Sequence, residues 1–350
     1  MTRQFLTWDS NENVSLNSGE IPELKEGEVL LKVESCGICG SDIKIIKHGN
    51  ARVKSGQIIG HEIAGTITKI NGTIKNFKIG DRISVGADVP CGECFYCNNG
   101  MANCCEINFA IGHQFEGGFN QYMVLNKLTI EKGPVGKISD MTDFDIASLA
   151  EPLACCINGY ERAIFDSFET IVIFGAGPIG MMLASLAPTY KAKNVIIVDP
   201  NAQRLDQVIK MKLATHTFNP FEVNIKDEVM KITSNNGANL VFTANALRDI
   251  HETAISLLAR RGVVNLFGGL PKDAEPITIS SNFIHYREAY ITGSHGSTPE
   301  QHKKALELLE SGKVRGKNFI THIYPLSEIK EALEIASRGD AIKVIIKPNL

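Results

Sequence analysis

No apolar run in this 350-residue sequence approaches the ~20 residues needed to cross a bilayer. The longest, such as Val195-Ile-Ile-Val198, are strand-sized. Neither sign of charge is in excess: 36 basic against 39 acidic residues leave −3, so nothing pulls the chain toward nucleic acid or anionic lipid. Met1-Thr-Arg-Gln-Phe-Leu-Thr-Trp-Asp-Ser10 lacks an apolar core followed by a small-residue cleavage site. Secretion is therefore not expected, and a cytoplasmic location is. Internal repeats and low-complexity linkers are missing too. Membrane, collagenous and disordered classes are excluded, and 43% apolar with 21% charged residues is an ordinary globular composition. The length predicts about two domains.

What the sequence does have is nine cysteines, an odd number in a long chain without a signal segment, which favours metal or thiol chemistry over a disulfide framework. Five fall in two motifs. The other four, Cys36, Cys104, Cys155 and Cys156, are expected as buried small apolar residues.

Three textures follow one another. From Val29 to about residue 130, short β-rich runs (Val29–Val33, Gly65–Ile70, Asp81–Val85) are separated by turn signals, predicting a small all-β barrel or sandwich. Near Met141, Thr142 and Asp145 resemble a capping box opening a helix through Ile146–Ala150. From Thr170 to about residue 292, apolar strand runs alternate with helical segments, predicting a parallel sheet covered by helices. The tail predicts helices over Glu300–Leu309 and Ser327–Arg338 and a last strand, Ile342–Ile346, rejoining the first stretch.

Cys91-x2-Cys94-x2-Cys97-x7-Cys105 is the strongest motif. Four thiolates at turn-compatible spacing close a tetrahedron around zinc with no open position, a structural site; Cys104 beside Cys105 leaves the fourth ligand ambiguous. Cys39 in Gly37-Ile-Cys-Gly-Ser-Asp42, with Gly60-His61-Glu62, offers a mixed ligand set suited to a zinc that keeps a position for water or substrate. Asp42 is suited to accept the other ring N–H of His61. Ala150-Glu151-Pro152-Leu153, at the predicted domain junction, adds a candidate fourth contact, Glu151. Gly175-Ala-Gly177-Pro178-Ile179-Gly180 follows a strand and opens a helix, and Asp199 ends the next strand. That order predicts dinucleotide binding, with pyrophosphate at the helix N-terminus and Asp199 on the ribose. Asp199 favours NAD over NADP; Arg204, close by in sequence, pulls the other way.

Taken together, these motifs resemble the zinc-dependent medium-chain alcohol dehydrogenase superfamily, most closely its sorbitol (polyol) and threonine dehydrogenase branch, over essentially the whole chain. The resemblance implies an α/β plus β fold. A GroES-like catalytic domain (1–152 and 293–350, with a structural zinc lobe at about 88–106) would surround an inserted Rossmann NAD-binding domain (153–292). It implies two zincs: a catalytic one on Cys39, His61 and Glu62 or Glu151, and a structural one on Cys91, Cys94, Cys97 and Cys105. Ser41 would start the proton relay. A homodimer or homotetramer is implied, with a small-molecule substrate and neither nucleic acid nor membrane as partner. Lys44 stands where several relatives place a relay histidine, His48 lies out of register, and Gly293-Ser-His295-Gly-Ser297 lacks the Arg–Tyr pair of animal sorbitol dehydrogenases. These departures bear on the substrate. A polyol, cyclitol or sugar alcohol is the first expectation. Threonine or another amino alcohol is an alternative, as is a sugar-alcohol phosphate met by Lys44, Lys47, Arg52 and Lys54; a redox-inactive binding protein comes last.

Overall fold

The computed structural model describes residues 2–350 apart from 11, 272, 273, 275 and 340. Two compact units emerge: Met1–Ala154 with Gly296–Leu350, and Cys155–His295. Among the described residues no helix is long and apolar enough to cross a membrane.

The first unit is built on β-sheet. Strand Val29–Gly37 is buried except at Lys32 and Glu34, which are half-buried, and pairs antiparallel with Glu62–Ile70, with Tyr122–Leu125 and with the last strand, Lys343–Lys347. Arg82–Val85 continues the sheet beyond Glu62–Ile70. The core beneath includes Leu31, Val33, Ile63, Ile67, Val85 and Ile346. A hairpin, Thr2–Ser10 against Asn13–Glu20, adds a small sheet that the sequence reading did not anticipate. Its inward positions, Leu6 and Trp8, are buried, and Arg3 is fixed by a bidentate pair with Glu116 at 2.7 and 2.8 Å.

The second unit is a parallel sheet of six strands in the order His216–Phe218, Asn194–Val198, Thr170–Phe174, Ala238–Thr243, Leu258–Leu266, Tyr290–Gly293. Chain order reverses at Thr170–Phe174, a Rossmann-type arrangement; the alternating texture predicted the parallel sheet, and the family resemblance implied the Rossmann domain. Val172, Ile196, Val241 and Val264 form its core.

Two local expectations are corrected. Asp143, rather than Thr142, sits at the N-cap of helix Phe144–Ser148, and no side chain caps it. The reason is competition: the Asp145 carboxylate pairs with Lys347 at 3.2 Å and accepts from Ser35. Cys104 is exposed, whereas Cys36 and Cys156 are buried and Cys155 is half-buried. A single 3-10 turn, Ala102–Cys104, leaves Cys104 outside and Cys105 inside. The tail helices run Pro299–Glu310 and Ile329–Arg338, the second preceded by a 3-10 turn over Leu326–Glu328.

Candidate metal and cofactor sites

Cys91, Cys94, Cys97 and Cys105 bring their sulfurs within 4.8 Å of one another. Backbone amides already point at them: Cys91 N–H donates to Cys105 Sγ at 3.2 Å and Cys94 N–H to Cys91 Sγ at 3.4 Å. Backbone amides lower the Cys94 thiol to about 6, while burial, aided by its three neighbours, pushes Cys97 up to about 12. Four thiols this close cannot all ionise without a cation between them. The donor set therefore fits zinc in a closed site, and Cys105, not Cys104, is the fourth member of the cluster.

The second group forms where helix Gly40–His48 begins and strand Glu62–Ile70 starts. Cys39 is the N-cap of that helix. Asp42, fully buried, uses one oxygen to accept the Cys39 N–H at 2.9 Å and sets the other 3.2 Å from His61 Nδ1. One carboxylate thus holds the cysteine loop and faces the imidazole as a charge partner, and Nε2 lies 3.3 Å from Ser41 Oγ. Burial works against a charge on His61, but Asp42, helped by Cys39, overrides it and raises the ring's pKa well above the ordinary value.

Glu62 was an open candidate ligand in the sequence. Its carboxylate is wholly buried and held by Lys343 Nζ at 2.6 and 2.7 Å. Lys343 also donates to Ile38 O at 3.2 Å. Burial opposes its charge, yet Glu62, then Cys39 and Glu151, keep its pKa raised. The glycine of the cysteine motif is explained here: a Cβ at Gly37 would lie 2.0 Å from Glu62 Oε2. Glu151 is buried in helix Ala150–Glu161. Burial lifts its carboxyl to about 7, Glu62 and Asp88 add to this, and His61 and Lys343 oppose it. Cys39, His61, Glu62 and Glu151 are thus electrostatic neighbours. Thiolate, imidazole and carboxylate donors suit zinc, and the Glu62 carboxylate is already engaged bidentately by Lys343.

Lys343 and Asp88 were missed in the sequence. Lys343 lies 281 residues from its partner, and a lysine in an apolar strand carries no local signal. Asp88 accepts the Ser297 N–H at 3.0 Å, so the segment singled out for lacking Arg–Tyr is fixed by a buried carboxylate. His113, half-buried in the turn after strand Phe109–Ala110, was also missed; its ring lies 6.4 Å from that of His61. Lys44, Lys47, Arg52 and Lys54 are all exposed, as a solvated charged face would be.

In the second unit, Gly175 takes φ +113° and Gly177 caps helix Pro178–Leu186. A Cβ at Gly180 would sit 1.8 Å from Gly175 O, so only glycine lets helix and turn close. A Cβ at Gly177 would meet nothing within 4 Å, leaving the helix N-terminus open to a phosphate. Asp199 accepts the Ala176 N–H at 2.7 Å and the Asn201 N–H at 2.8 Å; Arg204 Nη1 lies 4.0 Å from it. Open amides and a fixed acid fit a dinucleotide.

The sequence pattern of the alcohol dehydrogenase GroES-like domain matches residues 25–134, and that of the zinc-binding dehydrogenase domain matches residues 178–311. A sorbitol dehydrogenase of Bacillus subtilis (strain 168) is 30% identical over 348 residues, 97% of this chain and 96% of that protein. A D-arabinitol dehydrogenase 1 of Uromyces fabae is 29% identical over 346 residues, 98% of this chain and 97% of that protein. Among solved structures, an alcohol dehydrogenase of Thermotoga maritima superposes with a TM-score of 0.92 at 25% identity, covering 100% of both chains.

Proposed function

Since the chain belongs to the zinc-dependent alcohol dehydrogenase family, we propose that it oxidises a small polyhydroxylated secondary alcohol to the ketone. The observation that carries the substrate class is the carboxylate-rich surroundings of His61: Asp42, Glu62 and Glu151 are all buried there. Engaged by His61, by Lys343 and, in this reading, by the metal, these carboxylates make the surroundings of the reacting centre polar, which suits a hydroxylated substrate better than a simple alkanol. The sorbitol and arabinitol dehydrogenases among the relatives support the same class.

In this reading Cys39, His61 Nε2 and Glu151 hold the catalytic metal, while Glu62 answers to Lys343. Zinc bound there supplies Lewis acidity at the reacting oxygen. Asp42 keeps the His61 proton on Nδ1 and so keeps Nε2 available. Ser41 Oγ, beside Nε2, accepts the proton leaving the substrate hydroxyl and passes it outward. Gly175–Gly180 and the amides of the following helix bind pyrophosphate, and Asp199 takes the ribose 2′-hydroxyl. The nicotinamide cofactor supplies the two-electron acceptor. NAD is preferred because Asp199 repels a 2′-phosphate, with Arg204 too far to neutralise it fully. Residues 1–152 with 293–350 form the catalytic domain in this reading, and 153–292 the cofactor domain.

A homodimer or homotetramer belongs to the same proposal; exposed Tyr290 and Ile291 on the sheet's edge strand support it. So does a cytoplasmic location, where thiolate ligands stay reduced. The test is a panel of ethanol, threonine, sorbitol, xylitol, inositols and hexitol phosphates, with NAD or NADP, followed by nicotinamide absorbance. A polyol with NAD should give the highest kcat/KM. Ethanol or threonine leading by about tenfold, ~1.4 kcal/mol in transition-state binding, would overturn the substrate class.

A further inference from the structure

We propose that His113 is a specificity residue whose Nε2 accepts a hydrogen bond from the substrate hydroxyl next to the reacting carbon. The inference rests on the polyol reading of the His61 site.

The turn carrying His113 is built against the His61 segment by backbone bonds. Gly117 N–H donates to Ile58 O at 2.9 Å, Gly118 N–H to Gly60 O at 2.9 Å and Phe119 N–H to Ile59 O at 3.1 Å. Within the turn, the amides of His113, Gln114 and Phe115 all converge on Ala110 O, and Gln114 Oε1 takes the Ala110 N–H. Gln114 Nε2 ties the turn to Arg52 O. These bonds fix the backbone that carries His113. Its ring is edge-on to that of His61, with ring centroids 6.4 Å apart and planes at 60°.

The tautomer follows from its contact. Nδ1 lies 3.4 Å from Ile111 O, and a carbonyl only accepts, so Nδ1 carries the proton. Nε2 is then an acceptor, and among the described residues no hydrogen-bond donor is directed at it. An acceptor there takes an alcohol O–H and gains nothing from a hydrogen or methyl group in the same position. His113 would therefore select vicinal diols over isolated secondary alcohols.

The matched probe pair is 2,3-butanediol and 2-butanol, turned over by zinc-loaded protein with NAD. In His113→Phe the diol-to-monool ratio of kcat/KM should fall by about tenfold or more, chiefly through the diol's KM. His113→Gln, whose amide oxygen can accept, should restore the ratio to within about threefold of wild type. Calorimetric diol binding should weaken in the Phe variant, with zinc content unchanged. If the Phe variant does not fold, His113→Leu serves in its place. A ratio kept within about threefold of wild type, or a loss in kcat with diol binding intact, overturns the inference alone. A wild type without preference for the diol overturns the polyol reading and the inference with it.

Discussion

At the residue scale, the buried Glu62–Lys343 pair organises the group around Cys39 and His61. Both side chains are essentially inaccessible, and three donor contacts of 2.6 to 3.2 Å satisfy the ammonium. Removing one partner strands the other charge in a low-dielectric interior. Lys343→Met should therefore cost about 3–5 kcal/mol in urea unfolding of the metal-free protein. Lys343→Met combined with Glu62→Gln should recover most of that loss. A single-variant cost below about 1 kcal/mol would mean that the pair is hydrated in solution. This pairing was not readable in the sequence. Glu62 stood next to a histidine and looked like a ligand, whereas Lys343 sat in a strand of valines and isoleucines. Short-range patterns carry ligand spacing well and ion pairs across 281 residues not at all. Asp42 was readable, because helix spacing places it beside Cys39 and chemistry sends its second oxygen to the His61 ring.

At the element scale, helix Pro299–Glu310 shows a fold contribution that depends on pH. It opens with a capping box between Thr298 and Gln301 and packs on strand Val135–Lys137 and helix Phe144–Ser148. His302, on its buried face, has its Nε2 3.2 Å from Ser84 Oγ, whose own proton goes to Ala147 O. The imidazole proton is therefore on Nε2, and Nδ1 is buried without a partner among the described residues. Burial depresses the ring's pKa from 6.5 to about 4. Protonation thus favours the unfolded chain: the stabilisation is intact above pH 6.5 and shrinks as pH falls from there toward 4. The full effect is on the order of 3 kcal/mol. His302→Gln should flatten unfolding free energy against pH across that window relative to wild type; an unchanged slope would place the titration elsewhere. The helix was legible because its apolar periodicity and terminal Gly312 are local signals. The capping residue near Met141 was not, because Asp145 answers to Lys347 and Ser35, both distant in sequence. The N-terminal hairpin escaped because strand Asn13–Glu20 is mostly polar and exposed, so its pattern resembles a loop.

At the scale of the whole molecule, two candidate metal groups of opposite design lie within one unit. Four cysteines within 4.8 Å leave no room for a solvent ligand. Cys39, His61 and Glu151 offer fewer donors beside a buried ion pair. The first was legible from spacing alone. The second was expected from residue types, and in the proposed reading the choice between its carboxylates turns on Lys343. Closed thiolate sites exchange metal slowly, and open mixed sites exchange it readily. The most direct test is zinc analysis of the purified protein before and after mild chelation, with polyol oxidation assayed on the same samples. The account predicts two zincs per chain at first, then one retained with activity lost and restored by added zinc. A protein that holds no zinc, or that gives up both ions together, would contradict it.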